Sequence, residues 1–444
     1  MSVLDLSARA LAEAVQRGDA TPQTVAAETL ARAEARNPAI SAICSWNSAF
    51  EAEAAEVAAR LAAGETLPLA GVPVLIKDNI WVKGLRVAQG SRLFADHIAP
   101  GDAEVVKRLR AAGAMILGIA TCSEFACKGA TNSPQHGITR NPINPVMGPG
   151  GSSGGSVAAV AAGIVPLALG TDAGGSSRRP PAHTGLCGLK PTQDLIPYGP
   201  SFDEPVWGIS VICPIARDLG DIALAMEVLA GVKPHAPDTV RIAVSADFGT
   251  GQAIDAEVAE NFEAVLAALR ATNVTLGPLD IDWGGIKGHD ILPLQFAGLA
   301  QAYGDVWRET PDLFDPVIAQ QIETGLALSG IEVAAAHQVS HRMKTTLRGA
   351  LHRHGFIATP TTPCPAWPAA QSAPATIGGM PAGPRDHAAF TPQINHAGVP
   401  AISIPCGQTR DGLPLGLQLI AGAGQDGALI GLAQTLEPLL KQVS

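Results

Sequence analysis

Two short glycine- and serine-rich segments carry the hydroxyl groups best suited to chemistry in this chain of 444 residues. The first, GGSSGGS at 150–156, contains Ser152 and Ser153, and the second, GGSS at 174–177, contains Ser176. A serine hydroxyl becomes a strong nucleophile only when a neighbouring base removes its proton. Histidine is the usual base, and neither segment contains one. Serine chemistry here therefore requires a base from elsewhere in the chain.

The sequence around these segments argues against several non-catalytic explanations. A flexible linker does not fit, because the intervening VAAVAAGIVPLALG at 157–170 predicts a buried helix followed by a buried strand. A phosphate-binding loop would need a lysine after its last glycine, and the glycines also miss the spacing of a dinucleotide-binding loop. Close backbone packing without chemistry stays open, because glycine lets main chains approach each other.

The pattern G-x-S-x-G occurs twice by overlap, with Ser152 and Ser153 at its centre. In an α/β-hydrolase this pattern marks the nucleophile, and an acid and a histidine follow it in the chain. His396, in INHAGVP, is the nominal histidine. This hypothesis leaves the second segment, GGSS, without a purpose.

Lys77 is a second candidate base, at the end of the apolar run in GVPVLIKDNI at 71–80. Burial disfavours the charged ammonium and lowers the pKa of a lysine, so that a neutral amine can accept a proton. The alternative is a lysine at a strand end that reaches solvent, because lysine is rarely buried completely.

The segments that must position these groups alternate between strand and helix patterns. Helices are predicted at 6–36 (two), 50–64 and 102–113, strands at 69–80 and 114–120, and both kinds of element within 157–170 and 209–230. This alternation predicts a large α/β sheet with helices on both faces.

This prediction includes the end of one helix and the character of one central region. The second N-terminal helix starts at Thr21 and is expected to stop before Pro38. The region 232–345 has a different texture and predicts helical segments joined by polar loops, and the strand pattern resumes from about residue 350.

Composition excludes several functional classes. Hydrophobic residues make up 47% and charged residues 16% of the chain, which allows a large buried core. A net charge of −10 without a basic block argues against nucleic acid as a ligand. The seven cysteines are scattered and complete no zinc-binding pattern, so no metal is expected. Unpaired cysteines, together with the lack of an export signal and of a membrane-spanning run, predict a cytoplasmic protein.

Three segments in this order, GVPVLIKDNI, GPGGSSGG and GTDAGGSSR, resemble the amidase signature family. The separation of Ser152 and Ser176, 176 − 152 = 24 residues, is the one this family shows between its two catalytic serines. Similarity extends over 6–230 and 350–440. Ser177 stands where the family usually has an aliphatic residue, and Arg179 adds a second arginine after Arg178.

The resemblance implies a triad made of Lys77, Ser152 and Ser176. Ser176 would be the nucleophile, and Ser152, joined to Gly151 by a cis peptide bond, would carry the proton between Ser176 and Lys77. Neutral Lys77 would be the final base and would later help to protonate the leaving amine.

The resemblance also implies roles for neighbouring groups. The second segment would supply backbone N–H groups to the developing oxyanion, from Ala173, Gly174, Gly175 and Ser176. Four further residues would support the network, namely Ser153, Asp172, Arg178 and Thr131. For Asp172 and Arg178 a surface ion pair is the alternative.

The expected fold is that of the family, one α/β domain over 1–444 with a central mixed, twisted sheet. Its expected parts are N-terminal helices (1–65), a signature core (66–230), a mostly helical substrate-side region (232–345) and the C-terminal part of the sheet (350–444). The expected activity is hydrolysis of a small aryl or aliphatic amide, carbamate or acylurea through an acyl-enzyme, without a cofactor. An esterase side activity and a homodimer are also expected. The alternatives are the glutaminase subunit of a tRNA-dependent amidotransferase, an esterase or carbamate hydrolase of the same fold, and an inactive binding scaffold.

Overall fold

Apolar strands build one large mixed sheet in the computed structural model, which describes residues 2–237, 240–272 and 274–443. The strands of the described residues are β1 (Ile43–Trp46), β2 (Pro73–Lys77), β3 (Met115–Ala120), β4 (Asn132–Ser133), β5 (Gly137–Ile138), β6 (Leu167–Asp172), β7 (Cys187–Lys190), β8 (Val211–Ala216), β9 (Arg241–Val244), β10 (Thr275–Pro278), β11 (Phe356–Pro360), β12 (Thr376–Ile377), β13 (Met380–Pro381), β14 (Ala401–Gln408) and β15 (Pro414–Ile420). Eleven of these form the sheet in the order β1-β3-β2-β6-β8-β7-β14-β15-β11-β9-β10. The predicted α/β class with a central mixed sheet is confirmed.

Helices flank the sheet. They are α1 (Ala8–Arg17), α2 (Pro22–Ile40), α3 (Phe50–Ala62), α4 (Glu104–Ala111), α5 (Gly154–Ala161), α6 (Arg179–Thr184), α7 (Leu219–Ala230), α8 (Ala256–Arg270), α9 (Leu292–Glu309), α10 (Pro316–Ala327), α11 (Gly330–His354), α12 (Pro392–Ala397) and α13 (Asp426–Leu440). In the described part of the chain, no helix combines the length and the apolar character that a membrane span needs.

Helix α2 begins as predicted but ends later. Thr21 caps its N-terminus by accepting a hydrogen bond from Thr24 N, and Pro22 follows inside the first turn. The expected stop before Pro38 is wrong, because the helix continues through this proline to Ile40. Pro38 lies in the last turn on the exposed side, where water can satisfy the carbonyl group that loses its helical partner.

The region 232–345 is mostly helical but also contributes two strands to the sheet. β9 pairs in parallel with β11 and with β10, and so extends the sheet at one edge. Each strand has only four residues. A run this short does not distinguish a strand from a loop by its sequence pattern, so the expectation of polar loops there was incomplete.

Strand β2 brings Lys77 to the edge of the sheet where the two glycine–serine segments lie. β2 runs parallel to both neighbours, β3 and β6, and all five of its residues are buried. The register pairs Ile76 with Leu169, so the carboxyl ends of β2 and β6 lie side by side. Parallel strands that end together bring the residues after them to one edge.

Helix α5 starts immediately after the first segment and packs against β2, β3 and β6. A Cβ atom at Gly155 would lie 2.4 Å from Thr121 N, so only glycine allows the helix to approach the end of β3 this closely. The glycines of this segment therefore serve packing, as the non-catalytic alternative requires. The contacts of the serines decide whether they also serve chemistry.

Candidate active site

Lys77 is completely buried and contacts the first glycine–serine segment. Its Nζ lies 2.7 Å from Ser152 Oγ and 2.8 Å from Thr171 Oγ1. Asn79 Nδ2 donates to the same threonine hydroxyl at 3.0 Å, which orients it. Burial lowers the pKa of Lys77 to about 8. The alternative of a lysine that reaches solvent is therefore wrong, and with this pKa about one amine in ten is neutral at pH 7.

The loop around Ser152 is held from its backbone. The Gly151–Ser152 peptide bond is cis. Thr131 Oγ1 donates to Gly150 O at 2.8 Å and accepts from Gly154 N at 3.0 Å, so this hydroxyl joins the two ends of the loop. Thr131 is buried and does not line the cavity described below.

Ser153 contacts the end of β6, the strand that also contacts Lys77. Its Oγ donates to Thr171 O at 3.2 Å and lies 3.3 Å from Ser177 Oγ. Lys77 Nζ lies 3.4 Å from the same Thr171 carbonyl oxygen. Ser153 therefore touches the surroundings of Lys77 through Thr171, and Ser177 fills a polar position where the family pattern has an aliphatic side chain.

Ser176 and Ser152 line the same cavity. Ser176 is 7% exposed, whereas Ser152 is completely buried. Within the described residues, no hydrogen bond joins the two hydroxyl groups. Catalytic contacts in proteins without substrate are often longer than in the working complex. The arrangement leaves Ser176 as the hydroxyl that a molecule in the cavity can reach.

The backbone amides of the second segment divide into two groups. Gly175 N donates to Asp172 Oδ1 at 2.7 Å, and Gly175 is not part of the cavity wall. Ala173, Gly174 and Ser176 line the cavity, and their N–H groups have no acceptor in the described part of the chain. Three of the four predicted oxyanion donors are therefore available, and the Gly175 amide is instead used to shape the turn.

Asp172 and Arg178 form the buried support of this turn. Both side chains are 0% exposed, so the alternative of a surface ion pair is wrong. Arg178 Nε and one terminal nitrogen each donate to Asp172 at 3.0 Å. Asp172 also accepts from Gly175 N and Ser177 N, and the Arg178 charge and these hydrogen bonds hold its pKa well below the usual range against the effect of burial.

Three contacts of Arg178 come from the C-terminal part of the chain. The guanidinium donates to Thr391 O, Asn395 Oδ1 and Gln418 Oε1. Sequence reasoning gave these residues no role, because they lie more than 200 positions from Arg178 and a local pattern does not show which distant residues meet. It also missed Thr171, whose position directly before Asp172 at the end of an apolar strand was an available signal.

The histidine required by an α/β-hydrolase does not reach either serine of the G-x-S-x-G pattern. His396 Nδ1 lies 2.7 Å from Ser340 Oγ. Burial lowers the pKa of His396 to about 4. Within the described residues, no hydrogen bond joins His396 to Ser152 or Ser153, and its Nδ1 contacts a serine where a triad needs an acid. The G-x-S-x-G hypothesis with His396 as base is therefore wrong.

One group of metal-ligand side chains lies elsewhere in the described residues, formed by Cys44, Asp78 and His136. Asp78 already accepts hydrogen bonds from Ala88 N and Gly90 N at 2.7 Å each, and from the His136 ring at 2.8 Å. Its carboxylate oxygens are thus engaged in holding a loop. This group lies outside the cavity wall.

The cavity in front of Ser176 has a volume of about 300 Å³. Aromatic and aliphatic side chains form much of its wall, among them Phe125, Phe202, Val206 and Leu294. Such a volume lies at the lower end of small-molecule sites. The pocket therefore suits a small organic substrate with one apolar part.

A family model described as Amidase matches residues 24–430. The chain belongs to the amidase signature family. It is an amidohydrolase that acts on C–N bonds, in agreement with the resemblance of its three segments.

Its similar curated relatives include two kinds of enzyme. The A subunit of the glutamyl-tRNA(Gln) amidotransferase of Deinococcus radiodurans is 36% identical, with 97% of this chain and 96% of the relative covered. The acylamidase of Rhodococcus erythropolis is 32% identical, with 97% and 95% covered.

Solved structures of the family superpose over nearly the whole chain. An amidase crystal structure has a TM-score of 0.90 at 27% identity and covers 98% of this chain and 99% of its own. The A subunit of the glutamyl-tRNA(Gln) amidotransferase from Thermotoga maritima has a TM-score of 0.79 at 26% identity, with 98% and 95% covered. Of the two relatives, the amidotransferase subunit has the higher sequence identity, and of the two solved structures, the amidase has the higher TM-score.

Proposed function

We propose that this protein hydrolyses the C–N bond of a small amide through an acyl-enzyme on Ser176. The observation that carries the proposal is the buried contact of 2.7 Å between Lys77 Nζ and Ser152 Oγ, beside a cavity that Ser176 also lines. A neutral amine next to one hydroxyl, with a second hydroxyl facing the substrate space, is the arrangement that proton transfer from serine requires.

Acylation then proceeds by transfer of two protons. Neutral Lys77 takes the proton of Ser152, and Ser152 takes the proton of Ser176, whose oxygen attacks the amide carbonyl carbon. The carbonyl oxygen becomes an anion that the amides of Ala173, Gly174 and Ser176 stabilise. The C–N bond breaks as the proton returns through Ser152 to the leaving nitrogen.

Deacylation uses the same groups in reverse. A water molecule attacks the ester carbonyl of acylated Ser176 and gives its proton through Ser152 to Lys77. The acid product leaves as Ser176 recovers its proton. Lys77 ends the cycle neutral, so every proton is accounted for without a cofactor.

The acyl-enzyme is tested with a fluorophosphonate probe followed by mass spectrometry of the intact protein and its peptides. The expected adduct is on Ser176, and Ser176→Ala is expected to remove it. An adduct that persists in Ser176→Ala, or that maps to Ser153, would contradict the assignment of the nucleophile.

A second candidate is the glutaminase subunit of a tRNA-dependent amidotransferase, which the 36% identity to a relative of that name favours. In that role the ammonia would pass to a partner protein. The difference in TM-score, 0.90 against 0.79, supports the free amidase instead.

A substrate panel separates the two candidates. Ammonia or amine release is measured from an anilide, an aliphatic amide, a carbamate and glutamine with the isolated chain. Turnover of several amides without a partner supports the first candidate. Activity confined to glutamine and dependent on co-purified proteins supports the second. The predicted homodimer is tested by light scattering on the same preparation.

A further inference from the structure

Two arginines line the cavity without an acidic partner. Arg179 and Arg385 both contribute to the wall that contains Ser176. In residues 2–237, 240–272 and 274–443, no carboxylate lies within salt-bridge distance of either guanidinium. Arg179 is only 3% exposed. A buried cation without a counter-ion is unfavourable. An anionic group of a ligand between these two arginines would therefore be favourable.

The adjacent Arg178 differs from this pair, because its guanidinium has an anionic partner and several further hydrogen-bond acceptors. Its guanidinium donates to Asp172 and to three further oxygen acceptors. For Arg179, by contrast, one terminal nitrogen lies 2.6 Å from His387 Nδ1, and Nε is buried without a partner in the described residues. In the same part of the chain, Arg385 donates to one acceptor, the backbone oxygen of Cys127, at 2.8 Å.

The other groups around the pair form no ion pair with it in the described residues, although the Asp172 charge is near enough to raise the pKa of Arg179. Burial and then the Arg179 charge lower the pKa of His387 well below its usual range, so this ring is neutral. The cavity wall contains three acids, Asp203, Glu204 and Asp386, and in the described residues none of them lies within salt-bridge distance of either guanidinium. Asp386 accepts from Gly383 N, and Glu204 accepts from backbone amides of its own loop. Burial and then Arg385 lower the pKa of Arg179 to about 9, which leaves it protonated at neutral pH.

The pair is also close to the reacting groups. Arg179 N donates to Gly175 O at 2.9 Å. A Cβ atom at Gly175 would lie 2.7 Å from Arg179 Nε, so the guanidinium packs against the turn that carries Ser176. Because the cavity measures about 300 Å³ and Ser176 lines it together with both arginines, a short substrate can contact all three side chains at once.

We infer that Arg179 and Arg385 bind a carboxylate on the substrate, so that the preferred substrates are short amides that carry a carboxylate a few bonds from the scissile C–N bond. Guanidinium groups bind carboxylates through short, charge-assisted hydrogen bonds. The inference rests on the proposed function, because it defines the substrate class of the same site.

The test compares two amides with the same number of non-hydrogen atoms that differ in charge. Succinamate carries the carboxylate, and 4-oxopentanamide replaces it by a neutral acetyl group of similar shape. We expect kcat/KM of the unmodified protein to be about 10- to 100-fold higher for succinamate, the effect of hydrogen bonds to a charged group. Malonamate, glutaramate and glutamine are measured alongside to define the spacing.

Arginine variants test the source of this preference. Arg385→Met is expected to reduce the succinamate to 4-oxopentanamide ratio about tenfold or more, and Arg385→Lys to restore part of it. Arg410→Met is the control, because Arg410 is exposed and pairs with Glu257 and Glu260 outside the cavity. An unchanged ratio in Arg385→Met, or no preference in the unmodified protein, would overturn the inference.

Binding without turnover separates this inference from the proposed reaction. Calorimetry of Ser176→Ala with succinate is expected to give a dissociation constant that rises about tenfold in the Ser176→Ala, Arg385→Met double variant. Succinate binding that depends on Arg385, with no amide hydrolysed, would uphold the anion site and refute the reaction. Hydrolysis of neutral and charged amides at equal rates would do the opposite.

Discussion

Two buried lysines, Lys77 and Lys190, end two strands of the same sheet and differ in what they touch. Lys77 is the last residue of β2, and Lys190 is the last residue of β7. Both are 0% exposed, and burial lowers the pKa of each to about 8. Lys77 contacts two hydroxyl groups, whereas Lys190 donates to Pro191 O at 2.7 Å.

This pair shows that a lowered pKa does not by itself make a base. A catalytic amine also needs a hydroxyl donor within reach and a space where substrate can meet the activated oxygen. Lys77 has Ser152 and the adjoining cavity, and Lys190 lies outside the cavity wall. The chemistry of the site is therefore set by contacts that the sheet creates at one edge.

The largest expected effect comes from removing the amine of Lys77. Lys77→Met should lower kcat/KM about 10⁴-fold, because no other base can accept the serine proton. Lys190→Met is the matched control and should keep kcat/KM within about threefold, because that amine does not contact substrate or serine. Circular dichroism melting shows whether each variant is folded. Equal losses of activity in the two folded variants would remove the distinction between the lysines.

A second prediction concerns Asp172, whose negative charge opposes the effect of burial on the pKa of both lysines. Asp172→Asn should lower the free energy of unfolding by about 3–5 kcal/mol, because Arg178 stays buried without its anionic partner. Denaturant unfolding measures this change. Asp19→Asn, which removes one partner of the exposed Arg17 pair, is the control and should change the stability by less than about 1 kcal/mol. A loss no larger than that of the control would contradict the structural role of the buried pair.

A third prediction concerns pH. The folded pKa of Lys77 is lowered, and only the neutral amine accepts a proton, so activity is lost as pH falls below about 8. From about pH 8 to about pH 6 the neutral fraction, and with it kcat/KM, should fall about 50-fold or more. Lys190→Met should leave this acidic limb of the pH–rate profile unchanged. A profile that stays flat over this range with a chemical rate-limiting step would contradict the role of Lys77.

The smallest expected effect comes from Thr171, which sequence reasoning did not identify. Thr171→Val removes the hydroxyl that accepts a hydrogen bond from protonated Lys77, so the pKa of Lys77 should fall and the acidic limb should shift to lower pH. Because the amine also loses its positioning contact, kcat should drop about tenfold. Thr171→Ser should restore the limb. A drop in kcat without any shift would indicate only a packing defect.

The sequence alone was enough to define the α/β class and to single out the residues that lie in local motifs. Lys77, Ser152 and Ser176 lie in short segments whose glycines, apolar runs and spacing are visible without a structure, because strand and turn patterns are local properties of a chain. The same holds for Asp172 and Arg178, although their burial was open.

Only the tertiary structure decided which of these groups meet. The β2–β6 register brings Lys77 to Thr171, and the packing of helix α12 and strand β15 brings Asn395 and Gln418 to Arg178 from more than 200 residues away. It also turned the Gly175 amide toward Asp172 and left Arg179 and Arg385 on one cavity wall without a carboxylate in the described residues. Such contacts depend on how distant elements pack, and a local pattern carries no information about that packing.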